Sequence, residues 1–306
     1  MKLASSTFNV LDVPKSAYLY LVNTKRIYQF KSKLEADLTQ EEIVLVYQMG
    51  KVGSTSIEKS LIHITDVPFY RCHYLNPSTV NRLLSQKIRI FKSSIKTHYL
   101  TSKYLSAKLT TQGLGRSNWK LITIVREPIA TNISRFFESI QDFIPDFYRK
   151  YGNLTNFYQE IDNNIIDLQE IIEYFWLYFP YHDWNLNWFD QEMKPVFDID
   201  IFSHNFSYEK GYQILKKGNI NLLVLKLENL DEKVKEAFKD FMEIEKFSLK
   251  KSNVAKNKIY SNAYEKFKKF IVLPEEYVNQ QYQHKYTKHF YSEKEREILR
   301  SKWLSR

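Results

Sequence analysis

Two short groups of residues have the types and spacing to hold an anion. The first is Lys51-Val52-Gly53-Ser54-Thr55-Ser56. Glycine here lets backbone approach a ligand closely, because no Cβ stands in the way. A helix starting at the hydroxyls aims its unpaired N–H groups at one point, and the lysine adds a full charge. The second is Val125-Arg126-Glu127-Pro128, with Ser134 eight positions after the arginine. A guanidinium at a strand end and a hydroxyl about two turns into the next helix can reach one phosphate. The first supplies a charged planar fork and the second a further donor.

Both groups need elements that hold them. Val44-Leu45-Val46-Tyr47 is an apolar run rich in β-branched residues, the pattern of a buried parallel strand. The strand is expected from about Ile43 to Tyr47, with a helix following the cradle to about Ile64. Val67 to Tyr74 reads as a second strand, Ile88 to Ile95 as a third, and Trp119 to Val125 as a strong buried strand ending at Arg126. Asn76-Pro77-Ser78 is a helix start. Pro128 suits a first helical turn, where its missing N–H costs nothing, and Ile129, Ile133, Phe136 and Phe137 then face inward. Ile220 to Leu227 is one more strand, followed by an amphipathic helix to about Met242. Alternating strands and helices imply a parallel sheet flanked by helices. Ligands of such sheets bind beyond the carboxyl ends of the strands, where both groups fall.

The chain has 306 residues and a formal net charge of +10, so it favours acidic partners: a nucleotide, a sulfated or carboxylated glycan, nucleic acid or anionic lipid. Nucleic-acid recognition has no motif of its own here. Aromatic residues make up 16%, enough to fill a core and leave rings for a groove. The only cysteine, Cys72, reads as a core residue; it allows no internal disulfide, which fits a reducing compartment. No run of about 18 apolar residues reads as a membrane span, and Met1 to Val13 has no secretory pattern. The expected location is the cytoplasm, at most at the inner face of the membrane.

A lysine ahead of G-[ST]-[ST] differs from the triphosphatase loop, whose lysine follows the second glycine. It resembles the 5′-phosphosulfate loop of sulfotransferases that use 3′-phosphoadenosine 5′-phosphosulfate (PAPS). Arg126, Pro128 and Ser134 resemble the 3′-phosphate site of the same enzymes. A further resemblance, from about Ile43 to Tyr291, is to the family described as putative capsular polysaccharide synthesis proteins. It lies in Arg71-Cys72-His73-Tyr74-Leu75-Asn76-Pro77, in Trp188-Phe189-Asp190-Gln191-Glu192 through Phe197-Asp198-Ile199-Asp200, and in Leu222 through Leu230. Lys288-His289-Phe290-Tyr291-Ser292 and Asn257-Lys258-Ile259-Tyr260-Ser261 complete it; in the latter, Ile259 stands where the family signature has tryptophan.

These resemblances imply an α/β, P-loop-like three-layer domain with a central parallel sheet and a helical aromatic-rich insertion. The expected layout is a single domain over 1–306: an N-terminal strap to 40, a cofactor-binding core over 41–141, an aromatic acceptor-side insertion over 142–211, and the last core strand with a basic helical region over 212–306. The implied activity is sulfuryl transfer from PAPS to a hydroxyl of a capsular or other cell-surface polysaccharide or its precursor, without a metal, with a membrane-bound polysaccharide assembly system as the implied peripheral partner. Lys51 would neutralise the leaving group. Val52, Gly53, Ser54, Thr55 and Ser56 would hold the 5′-phosphate, and Arg126 and Ser134 the 3′-phosphate. Lys256 and Lys258 would close over the nucleotide. His98 and His73 are the candidate bases, with Asp190 or Glu192 as carboxylate rivals, and His63 reads as structural. Trp184, Trp188 and Asp190 are acceptor-side candidates. The alternatives are an ATP- or GTP-dependent phosphotransferase of P-loop type, for which Lys51 is misplaced, and a non-catalytic glycan-binding protein on the same fold.

Overall fold

In a computed structural model, which describes residues 15–62, 64–86, 96–252 and 258–304, the run Glu42–Tyr47 is strand β1. Ile43 through Tyr47 are wholly excluded from solvent, as expected for a strand covered on both faces. Before it lies α1 (Lys15–Asp37). After it come α2 (Ser54–Leu61), β2 (Phe69–Cys72), α3 (Pro77–Gln86), α4 (Thr97–Gln112), β3 (Asn118–Val125) and α5 (Pro128–Glu138). The expected third strand, Ile88 to Ile95, lies outside the described residues, as do His63, Lys256 and the 1–14 part of the strap.

Among the described residues the sheet has five strands in the order β2-β1-β3-β5-β4, where β4 is Tyr212–Lys217 and β5 is Ile220–Lys226. Pairing is parallel from β2 through β5. The β4 edge is antiparallel to β5 across a tight turn at Gly218, whose φ is +55°. That edge strand went unread in the sequence because its solvent side ends in Lys216-Lys217, the charge that edge strands carry against further pairing. The second strand is shorter than expected, four residues, because the chain turns away after Cys72.

Helices α6 (Phe147–Tyr151), α7 (Leu154–Asp162), α8 (Leu168–Tyr178), α9 (Trp184–Trp188) and α10 (Lys194–Phe197) form the aromatic region, with a π-helical turn at Phe189–Met193. After β5 come α11 (Leu230–Met242), α12 (Ser261–Phe270), α13 (Glu275–Gln283), α14 (Lys285–Phe290) and α15 (Glu293–Leu304). Two hydrophobic clusters result. One is centred on the sheet. The other joins the inner face of α5 to α6–α8 and to α12, α13 and α15. In the second, Phe136 stands 5.3 Å from Phe175 and Phe137 5.1 Å from Phe267, both edge to face. Such ring pairs add about 0.5–1.5 kcal/mol beyond the area they bury.

Candidate functional site

The turn after β1 has the geometry of an anion nest. Lys51 has φ +72° and Gly53 has φ +88°, and Gly53 is the residue from which α2 starts. A left-handed lysine is strained by about 1–3 kcal/mol, and such strain persists only where neighbouring structure imposes it. At Gly53 a side chain is excluded twice over: by the backbone angle, and because a Cβ would meet Leu227 Cδ1 at 2.9 Å. No side chain caps the start of α2; the Ser56 N–H donates to the Gly53 carbonyl at 3.0 Å, and the N–H groups ahead of it suit an anion, as at other helix starts.

Arg126 stands at the end of β3, next to β1, and its Nη1 donates to the carbonyl of Lys51 at 2.8 Å. The two candidate groups are therefore joined directly. Buried Tyr286 clamps the backbone of Arg126: its hydroxyl accepts from the Arg126 N–H at 3.1 Å and donates to the Arg126 carbonyl at 2.9 Å. Glu127 is buried and caps α5, accepting from the N–H groups of Ile129 and Ala130 at 2.9 and 2.6 Å. The Arg-Glu-Pro triplet thus divides its work. The arginine faces the ligand side, the glutamate starts the helix, and the proline fits its first turn.

Lys51, Gly53, Ser54, Thr55, Ser56, Arg126 and Ser134 line one cleft of about 1070 Å³ beyond the carboxyl ends of β1 and β3, together with His73 and His98. Arg26 and Phe30 of α1 complete one wall, and seven basic side chains line the cleft against four acidic ones. Thr97 and His98 sit in the first turn of α4 rather than at a strand end. Val52 is fully buried in the core, so its side chain takes no part. Ser56 is committed elsewhere: its Oγ accepts from the Ser252 N–H at 3.0 Å and donates to the Ser252 carbonyl at 3.1 Å. With Ser60 Oγ, which accepts from Lys250 N–H at 2.8 Å, it pins the chain after α11 onto α2.

Glu138, the last residue of α5, was not read as functional. It accepts an ion pair from Lys51 at 2.8 Å and a hydrogen bond from Tyr260 at 2.8 Å, with Lys258 Nζ at 3.9 Å. Its spacing was a usable signal, since it follows Ser134 by four residues on the same helix face. Burial lowers the Lys51 ammonium pKa, and Lys258 and Arg126 push it the same way, against Glu138. Burial pushes the Glu138 carboxyl up, but Lys51, Tyr260 and Lys258 outweigh it and hold it below the usual carboxylate range.

His73 is held neutral. Burial lowers it to about 4, with the cations Arg71, Arg135 and Lys51 adding to the effect, against a bond to the Gln48 carbonyl. That carbonyl is 3.0 Å from Nδ1. A proton on Nδ1 donates to it and leaves Nε2 as the basic nitrogen. The His73 and His98 rings lie 5.6 Å apart.

The acceptor-side candidates separate. Trp188 is fully buried, stands 4.8 Å from the Tyr47 ring, and donates from Nε1 to the His73 carbonyl at 3.0 Å. It cannot stack on a sugar; it fixes the backbone of a cleft histidine. Asp190 is paired to Lys285 at 2.6 Å and lies outside the cleft. Glu192 is buried and organises the turn after β2, accepting from Tyr47 OH at 2.6 Å and from the Leu75 and Asn76 N–H groups at 2.8 and 2.9 Å. Burial pushes its carboxyl up, but no ligand hydroxyl can reach it. Trp184 alone faces a cavity, a second cleft of about 540 Å³.

The fold and site define an α/β protein with a mostly parallel sheet and a basic, hydroxyl-bearing cleft at its carboxyl edge. A family model described as "Putative capsular polysaccharide synthesis protein" matches residues 163–292. This match takes in α8 to α10, the β4–β5 hairpin and the C-terminal helices up to Ser292, less than half of the chain. The cradle and Arg126 lie outside the matched span. No curated protein and no solved structure matches the chain. No helix among the described residues is long and apolar enough to cross a membrane.

Proposed function

We propose that this chain is a sulfotransferase that moves a sulfuryl group from PAPS to a carbohydrate hydroxyl, in the making of a capsular or other cell-surface polysaccharide. One observation carries the reading: the lysine-glycine-hydroxyl cradle and the arginine-serine pair line one cleft, with Arg126 bonded to the Lys51 carbonyl. Two linked anion-binding groups suit a nucleotide with phosphate on both its 5′ and 3′ sides. The polysaccharide context rests on the family match.

In this reading the acceptor oxygen bonds to sulfur as the bond from sulfur to the 5′-phosphate oxygen breaks. The electron pair leaves with that oxygen, giving adenosine 3′,5′-bisphosphate. Lys51 neutralises the charge that grows there, which requires Glu138 to yield the ammonium to the incoming anion. Arg126 and Ser134 hold the 3′-phosphate. His73 Nε2 takes the hydroxyl proton, and His98, on the facing helix, is the rival for that role. Lys258 stands near enough to the Lys51–Glu138 pair to add charge at the nucleotide.

Titration calorimetry with adenosine 3′,5′-bisphosphate and with ADP tests the donor. The wild type binds the bisphosphate at least tenfold tighter. Arg126→Ala loses about 10- to 100-fold of that affinity, the range for a charge-assisted hydrogen bond, while its circular dichroism spectrum stays native. Equal affinity for the two nucleotides, or none for either, overturns the reading.

A further inference from the structure

The second cleft carries an unclaimed set of groups. The rings of Tyr74, Tyr181 and Trp184 line it, with the side-chain amides of Asn187 and Gln191. Tyr74 and Trp184 are tilted 57° to one another with centroids 5.4 Å apart. The indole N–H of Trp184 is buried without a hydrogen-bond partner among the described residues, and buried polar groups are rarely left so. Flat rings beside amides suit a sugar, which offers apolar C–H faces and hydroxyl edges.

Between this cleft and the first stands Arg135. Its Cζ lies 5.5 Å from the centroid of the Tyr181 ring, on the second cleft. Its Nη2 lies 3.4 Å from where a Cβ on Gly50 would be, on the first. Arg135 is partly buried, and no carboxylate among the described residues pairs with it. The groups facing it are Tyr74, Tyr181 and His73. Glu138, the carboxylate nearest along its own helix, is taken by Lys51 and Tyr260. A guanidinium withdrawn from water without a counter-charge is costly, and an anion arriving with a ligand removes that cost.

We propose that the second cleft is the acceptor subsite and that it takes an acidic saccharide, whose ring packs on Trp184 and whose carboxylate pairs with Arg135. A planar carboxylate matches the guanidinium fork in two parallel hydrogen bonds, and the face of that fork is already steadied by Tyr181. Sugar units continuing past Arg135 lead toward His73, where the reacting hydroxyl is needed. The inference rests on the transferase reading for the fate of the hydroxyl, though not for binding of the saccharide.

The test is calorimetry on the full chain, with and without saturating adenosine 3′,5′-bisphosphate. The probes are a tetrasaccharide of alternating glucuronic acid and N-acetylglucosamine and its carboxyl-reduced, neutral counterpart. The acidic form is expected to bind at least tenfold tighter. Arg135→Gln abolishes that preference and Arg135→Lys restores part of it. Equal binding of the two forms, binding of neither, or a preference that survives in Arg135→Gln overturns the proposal. Nucleotide titration of the wild type separates the two readings. Acidic preference without nucleotide selectivity sinks the donor and keeps the saccharide site, and the reverse result does the opposite.

Discussion

The cradle edge and the aromatic helical layer are built on opposite plans. At the cradle, short spans of chain carry their own geometry: a buried strand, a left-handed lysine, a left-handed glycine and the bare start of a helix. Its side chains are mostly polar, and its backbone is strained at Lys51. In the helical layer, single residues decide little, and Phe136, Phe137, Phe175 and Phe267 matter only through one another. Stability is concentrated in the second region and strain in the first. The helix α5 belongs to both, with Ser134 and Glu138 toward the cleft and Phe136 and Phe137 toward the aromatic cluster. Function placed on a strained edge needs a rigid body behind it, and here that body is largely aromatic.

The sharpest way to break this contrast is Phe136→Ala. It leaves a cavity among Phe143, Phe175, Phe179 and Phe267. The expected loss is about 3–5 kcal/mol in urea unfolding, the usual range for a buried phenylalanine. A loss below about 1 kcal/mol would mean that the cluster does not support α5.

His73 tests the seam, since Trp188 of the helical region holds its carbonyl. Its folded pKa, about 4, lies below the ordinary 6.5. Between these values the unfolded chain binds more protons than the folded one, so stability is full above about pH 6.5 and is lost as pH falls toward 4. A loss on the order of 1–3 kcal/mol over that window is expected in urea unfolding. It should flatten in His73→Gln, and an unchanged slope in the variant would remove the buried neutral histidine from the account.

The smallest effect has the opposite sign. Lys51→Gly relieves a left-handed backbone and frees a lysine whose burial disfavours its charge. Against this stand the modest value of the partly exposed pair with Glu138 and the extra chain entropy of glycine. We expect a net gain of roughly 0.5–1 kcal/mol, with adenosine 3′,5′-bisphosphate binding lost. Destabilisation instead would show that the ion pair, rather than the strain, dominates the turn.

These tests bear on what was legible. Strands β1, β3 and β5 were readable because buried parallel strands are continuous apolar runs. The cradle was readable because Gly53 and the hydroxyls after it are local features of a strand-to-helix turn. That Arg126 and Ser134 would line the same cleft was readable from their spacing. Strand β4 was not, since a charged edge strand has little apolar signal. Trp188, Asp190 and Glu192 were misplaced for a different reason. Tryptophan and carboxylates serve a core or a ligand equally well, and only burial separates the uses. Arg135 could not be singled out at all, because its lack of a carboxylate partner among the described residues is a property of the space around it.

The sequence by itself determined the buried strands, the glycine turn into α2, the helix start at Pro128, and the basic, hydroxyl-bearing character of the edge. Each is settled within a few residues by backbone sterics, capping or apolar periodicity. Only the tertiary structure decided that the two candidate groups share one cleft, that Glu138 holds Lys51, and that Trp188 supports His73 while Trp184 lines a second cavity. These depend on which strands become neighbours and which face of a helix meets them. Packing of the whole chain selects those contacts, because no short segment has enough buried area to choose its own partners.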